Sequence, residues 1–270
     1  MTRIDWTWVL LHASNIVRTY DTSVTLRQLF YRLVADGTLP NTSTAYKQLS
    51  ATTAEARRRG AFPDLIDLTR TIHRQLGFKG PEDAMGLLEV TYRRDRTEYM
   101  DRSIYLGVEK AGLVAQLEAW FGERGLPVLA LSGFASESYV RQVVYDIKMW
   151  RRPAILLYGG DFDPSGEDIS RDFAARTGCW DKVIRVALTS EQVTEFDLPK
   201  AVGKASDSRA AAFKERHGEL VQVELDALPP NVLRNLFETT LATFWDESAF
   251  QQSLRVERLD RIALFGMNGR

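Results

Sequence analysis

AILLYGGDFDPSG, Ala154 to Gly166, combines an apolar run, two glycines, two aspartates with one residue between them, and a Pro-Ser-Gly opening. An unbroken apolar run of this length bounded by glycine reads as a strand of a parallel sheet, buried on both faces. Pro-Ser-Gly is turn chemistry that leads into a helix, predicted over Ser165 to Thr177. Working outward, the same alternation recurs. Ile104–Val108, Pro127–Leu131 and Lys182–Leu188 read as strands, and Lys110–Arg124 and Ser136–Trp150 as helices between them. Strands separated by helices of this length imply right-handed crossovers and a mainly parallel sheet flanked by helices, an α/β fold.

In such a sheet ligands bind beyond the carboxyl ends of the strands. Glu109 follows the first strand, and Asp161 and Asp163 follow the third across Gly159-Gly160. Three carboxylates converging on one edge repel one another, and a hard, oxygen-seeking dication removes that cost. They are therefore expected to bind Mg²⁺, or Mn²⁺, and so to offset charge on a phosphorus centre. The plainer reading makes them solvated loop acids, with Asp163 capping the next helix.

The N-terminal part reads as helical. Val24–Ala35 places Leu26, Leu29, Phe30, Leu33 and Val34 on one stripe and ends at Asp36-Gly37. A second helix is predicted from a cap at Asn41 or Thr42 to a stop at Gly60, ending in Arg57-Arg58-Arg59. Two helices joined by a tight turn suit a helix-turn-helix or winged-helix module, although unrelated helical pairs share the pattern. The texture changes between Gly77–Asp83 and Tyr92–Arg102, which divides the chain into residues 1–95 and 96–270.

Val108-Glu109-Lys110, Ser132-Gly133-Phe134 after the second strand, and GGDFDPSG at Gly159–Gly166 together resemble a TOPRIM domain. The acidic turn followed by Pro-Ser-Gly resembles one branch in particular, the topoisomerase VI A subunit and the meiotic double-strand-break transesterase. The resemblance covers about residues 104 to 190. It implies that Glu109, Asp161 and Asp163 are metal ligands and that the partner is DNA. It also implies a tyrosine-bearing winged helix before the TOPRIM domain, with the tyrosine in a pattern similar to R-[DE]-[IL]-[FY]-Y. Here that segment reads Arg27-Gln28-Leu29-Phe30-Tyr31, with Gln28 where the pattern has an acid. Tyr31 is thus the expected nucleophile, beside Arg27, and the product a 5′-phosphotyrosyl link. Helical geometry agrees: at about 100° per residue, Tyr31 lies about 120° from the centre of the apolar stripe. In this family the tyrosine of one subunit meets the acids of the other, which implies a homodimer. The chain lacks G-x-x-x-x-G-K-[ST], so strand passage would need a separate ATPase (B-type) subunit.

Composition restricts the remaining classes. Hydrophobic residues make up 44% and charged residues 26%, as in ordinary globular proteins. The apolar run Trp6–His12 is too short to span a bilayer, giving the expectation of a cytoplasmic, nucleoid-associated protein without membrane contact. One cysteine, Cys179, excludes an intrachain disulfide, and His12, His73 and His217 are scattered singly. A net charge of −1 leaves DNA to local basic patches: Arg57-Arg58-Arg59, Arg93-Arg94-Asp95-Arg96, and Lys148 with Arg151-Arg152. Lys110 joins the first patch as a candidate DNA contact. Further on, Leu220–Leu225 reads as a strand that extends the sheet, and Ser206–His217 and Asn231–Trp245 as helices. Lys204, Asp207, Arg209, Glu224 and Asp226 read as capping or surface residues, with an outer metal contact as the alternative for the two acids Glu224 and Asp226. Besides tyrosine transesterification, two functions stay open: a hydrolytic TOPRIM nuclease, and a non-catalytic DNA-binding protein.

Overall fold

Four parallel strands form the centre of the protein: β1 (Ser103–Val108), β2 (Val128–Ala130), β3 (Ala154–Gly159) and β4 (Lys182–Ala187), in the order β2-β1-β3-β4. The structure is a computed structural model that describes residues 4–67, 72, 74–203 and 206–266; His73 and Lys204 lie outside them. Side chains alternate between the sheet's faces, as strand geometry requires. Ile104, Leu106, Val108, Ile155 and Leu157 join one core with Leu117 and Phe121 of α5 (Val114–Phe121) and Leu233 and Phe237 of α10 (Pro230–Ala242). Tyr105, Leu156 and Tyr158 join the other with Val140, Val143 and Ile147 of α6 (Glu137–Trp150) and Ile169 and Phe173 of α7 (Pro164–Thr177).

The helix after β1 thus covers one face, and the helix after β3 covers the other. β1 and β3 are neighbours, so their carboxyl ends flank the switch point, where a crevice opens in a doubly wound sheet. Glu109 and Asp161 sit at that point.

The N-terminal helices α1 (Trp6–Arg18), α2 (Leu26–Ala35) and α3 (Ser43–Arg58) enclose their own core around Val9, Ala13, Leu29, Phe30, Leu33 and Leu49. Thr25 and Gln28 form a capping box at the start of α2, and Thr42 caps α3. The helix pair is therefore present. Among the described residues no strand precedes β1, and only an isolated bridge joins Thr25 to Ile66.

Other details depart from the expectations. The Lys110–Arg124 helix is divided into a 3-10 turn at Ala111–Leu113, α5, and a second 3-10 turn at Gly122–Arg124. Leu220–Leu225 does not extend the sheet. Only Val221–Gln222 (β6) is strand, antiparallel to β5 (Ala201–Val202), because the chain turns back over the loop after β3. There Phe162 and Val223 exchange backbone hydrogen bonds of 2.9 and 3.0 Å. The boundary region holds a helix, α4 (Pro81–Thr91), and is tied to the C-terminal helix α11 (Glu247–Phe265) by arginines. Arg96 forms a bidentate pair with Glu257, and Arg94 reaches Glu98 and Asp260. Two further short helices among the described residues are α8 (Ser190–Glu195) and α9 (Ala210–His217). No described helix is long and apolar enough to cross a membrane.

Candidate functional site

The two acidic ends are bound to each other through backbone. The Glu109 N–H donates to the Gly159 carbonyl (3.0 Å), and the Asp161 N–H donates to Glu109 Oε2 (2.9 Å). Asp163 caps α7, its Oδ1 accepting from the Gly166 N–H at 2.7 Å. Gly166 is required: a Cβ there would lie 2.3 Å from the Asp161 carbonyl oxygen. Arg185 of β4 holds the loop in place, donating to the carbonyls of Gly160, Asp161, Gly166 and Leu188. An arginine within an apolar strand is the one sequence signal that would have marked it.

Lys110 is the hub of the site. Its Nζ lies 3.0 Å from Asp161 Oδ1 and 3.6 Å from Asp226 Oδ2, and pairs closely with Glu224. Glu224 also accepts from Arg27 (3.2 Å), and it lines one small pocket together with Tyr31. Arg27 and Lys110 stand 5.0 and 5.3 Å from the centroid of the Tyr31 ring, within cation–π range. The Leu225 N–H donates to Asp161 Oδ1 at 2.7 Å.

Tyr31, Arg27, Glu109, Asp161 and Lys110 therefore meet in one chain, with Asp163 at the head of α7 beside them. The resemblance implies a tyrosine directed at a partner's acids, whereas here Tyr31 rests against the acidic cluster of its own chain. Lys110, expected to contact DNA, is half-buried and paired with carboxylates at the cleft wall. Glu224 and Asp226 belong to the site, although the strand expected to carry them there is short and does not join the main sheet. Arg57 lines the cleft beside Lys110, while Arg58 and Arg59 lie outside and pair with Glu55. Two other basic stretches hold the fold together. Arg94 and Arg96 bind acids of α11, and Arg152 donates to Ser103 Oγ and to the carbonyls of Thr97 and Met100.

Burial controls the charges. It pushes the Asp161 carboxyl up to about 8, against the opposing pull of Lys110, and it raises Glu109 and Asp226 as well. Burial alone would lower Lys110, but Asp226, Asp161 and Glu224 outweigh it and hold its pKa above the ordinary value. Burial and the Glu224 charge raise the Tyr31 phenol to about 12, with Arg27 opposing.

The donor set suits a hard dication, being wholly carboxylate oxygen. Asp226 Oδ1 is buried without a hydrogen-bond partner, a spare acceptor in the same cluster. Among the described residues no three His, Cys, Asp or Glu side chains already enclose a common metal position. Several converge on the Lys110 ammonium instead. A cleft of about 780 Å³ opens over the cluster between α2, α3 and the carboxyl edge of the sheet. Arg27, Gln28, Tyr46, Arg57, Glu109 and Lys110 are among the residues lining it.

No family model matches the chain, and no curated protein matches it significantly.

Proposed function

We propose that the protein cleaves DNA by metal-dependent tyrosine transesterification, with Tyr31 as the nucleophile. The observation that carries this reading is the Tyr31 ring set between Arg27 and Lys110, sharing a small pocket with Glu224 of the carboxylate cluster, while both cations also line the larger cleft next to it. The four-stranded parallel sheet with acids at its switch point supports the resemblance to a TOPRIM domain. The capped pair α2 and α3 supports a helix-turn-helix that presents the tyrosine.

A phenol is a weak nucleophile until its proton is removed. Glu224 is placed to accept that proton, and Arg27 and Lys110 lower the cost of the phenolate that results. The new bond joins Tyr31 Oη to the 5′ phosphorus, the P–O3′ bond breaks, and the 3′ oxygen leaves as a hydroxyl. Arg57 and Arg27 line the cleft where the phosphate backbone would run. Mg²⁺ or Mn²⁺, held by Glu109, Asp161 and Asp163, supplies charge stabilisation at the scissile phosphate when bound. A second copy of the chain would cut the other strand, and a separate ATPase subunit would be needed for strand passage.

The test is incubation with duplex DNA and Mg²⁺ or Mn²⁺, a denaturant stop, and detection of protein-linked DNA. Wild type should give an adduct, and Tyr31→Phe none. Cleavage that persists in Tyr31→Phe but disappears in Glu109→Gln would replace the tyrosine with water and make the protein a hydrolytic nuclease. DNA binding without cleavage under either metal would leave only a binding protein.

A further inference from the structure

We propose that Asp161, Glu224 and Asp226 form a further divalent-cation site, which Lys110 occupies as a tethered cation and vacates to admit a metal. The inference rests on the metal-assisted reading above and shares Asp161 with it. Three carboxylates from two separate segments surround one nitrogen: Asp161 at 3.0 Å, Asp226 at 3.6 Å, and Glu224 in close contact. Lysine is a compact charge on a flexible stem, which distinguishes it from arginine's fixed planar fork. Oxygen donors gathered around such a point charge are the donors that a hard dication takes.

An independent observation supports a vacancy in this coordination. Asp226 is buried, and its Oδ1 has no hydrogen-bond partner. A buried carboxylate oxygen without a donor is costly, so it calls for a partner such as an ion or an ordered water.

The route for exchange is present as well. Lys110 lines the cleft wall together with Glu109 and Asp226, so its ammonium can swing into the cleft without moving the backbone. A phosphate in the cleft would hold it there. Anionic substrate and metal would then load together, since each removes the reason for the lysine to stay.

The test counts Mn²⁺ bound to EDTA-stripped protein by paramagnetic resonance, independently of cleavage. Lys110→Met should bind one more Mn²⁺ than wild type, or bind it at least tenfold tighter. Lys110→Met combined with Asp226→Asn should lose that gain. If the methionine variant does not fold, Lys110→Gln, one atom shorter with a polar end, also removes the charge. Glu109→Gln and Asp163→Asn should weaken the site used for cleavage yet leave the gain of Lys110→Met intact. Two results overturn the inference: uncharged variants at Lys110 that bind Mn²⁺ as wild type does, or a gain that survives Asp226→Asn. Wild type that binds no Mn²⁺, beside a Lys110→Met that binds one, would instead remove the metal-assisted reading and leave this one standing.

Discussion

The pair Arg96–Glu257 ties the chain entering β1 to α11, and its removal gives a demanding test of the architecture. Both side chains are nearly closed to solvent, at 9% and 7% exposure. The contact is bidentate, with bonds of 3.0 and 2.8 Å, and Glu257 Oε2 also accepts the Arg94 N–H at 3.0 Å. Glu257→Ala would leave a buried guanidinium held only by Glu123 at its other end, and an amide without an acceptor. Removing one partner of a buried pair costs about 3–5 kcal/mol. In a protein of this size that lowers the melting temperature by roughly 10 °C. Arg96 holds the Glu257 carboxyl below its ordinary value, so the pair's contribution is present above that value and is lost as pH falls through the lowered one. The gap between wild type and Glu257→Ala should therefore be full at pH 7 and shrink below about pH 4. Urea unfolding followed by circular dichroism at both pH values measures it. Arg96→Met with Glu257→Leu should recover most of the loss, because apolar replacement of both partners leaves no orphaned charge. A deficit under about 1 kcal/mol for Glu257→Ala would refute the argument, since exposed pairs contribute no more than that.

Three other outcomes follow from the site. Burial raises the Asp161 carboxyl to about 8, so its contribution to stability is complete below about pH 4 and is lost as pH rises through 8. Metal-free wild type should therefore lose more stability from pH 5 to pH 8 than Asp161→Asn; parallel urea curves would show that Asp161 does not titrate this way. Gly166→Ala places a methyl against the Asp161 carbonyl oxygen, which should cost about 1–3 kcal/mol and weaken Mn²⁺ binding. An unchanged denaturation midpoint would mean that the turn adapts. Gln28→Glu removes the donor to the Gly112 carbonyl, with an expected loss of about 1–3 kcal/mol. Glutamate can still accept from Thr25, so a loss confined to helix capping would not appear in that variant.

The sheet was legible because its strands are short apolar runs bounded by glycine and turn residues. Because both follow strands of a parallel sheet, Glu109 and Asp161 were expected on one edge of it; that β1 and β3 are neighbours came from the structure. Tyr31 was singled out by the resemblance of Arg27–Tyr31 to a family pattern, and its place at the rim of the apolar stripe of α2 agrees with its being only partly packed against the helical core. What escaped was set by long-range contacts. Glu224 and Asp226 reach the site because Val223 pairs with Phe162, a contact between segments far apart that no local pattern encodes. Lys110 reads as a free surface cation until the acids around it are seen. Gln28 was read as a departure from an acidic position, yet its amide donates to Gly112 across the seam, which a carboxylate cannot do. α4 buries none of its residues, so no apolar periodicity announced it, and α11 is held by charged pairs as much as by an apolar face.

The union of α2 with the rest of the molecule depends on a few directional bonds: Arg27 to Glu224, Gln28 to the Gly112 carbonyl, and Arg32 to the Ala227 carbonyl. One of these, Arg27 to Glu224, uses a carboxylate that Lys110 also pairs with. Occupancy and posture are therefore written in the same charges. A ligand that claims Glu224 loosens the helical head, and a displaced head frees Glu224 by the same free energy. On the proposed reading, the contact of α2 with the segment around Glu224 is itself part of the site.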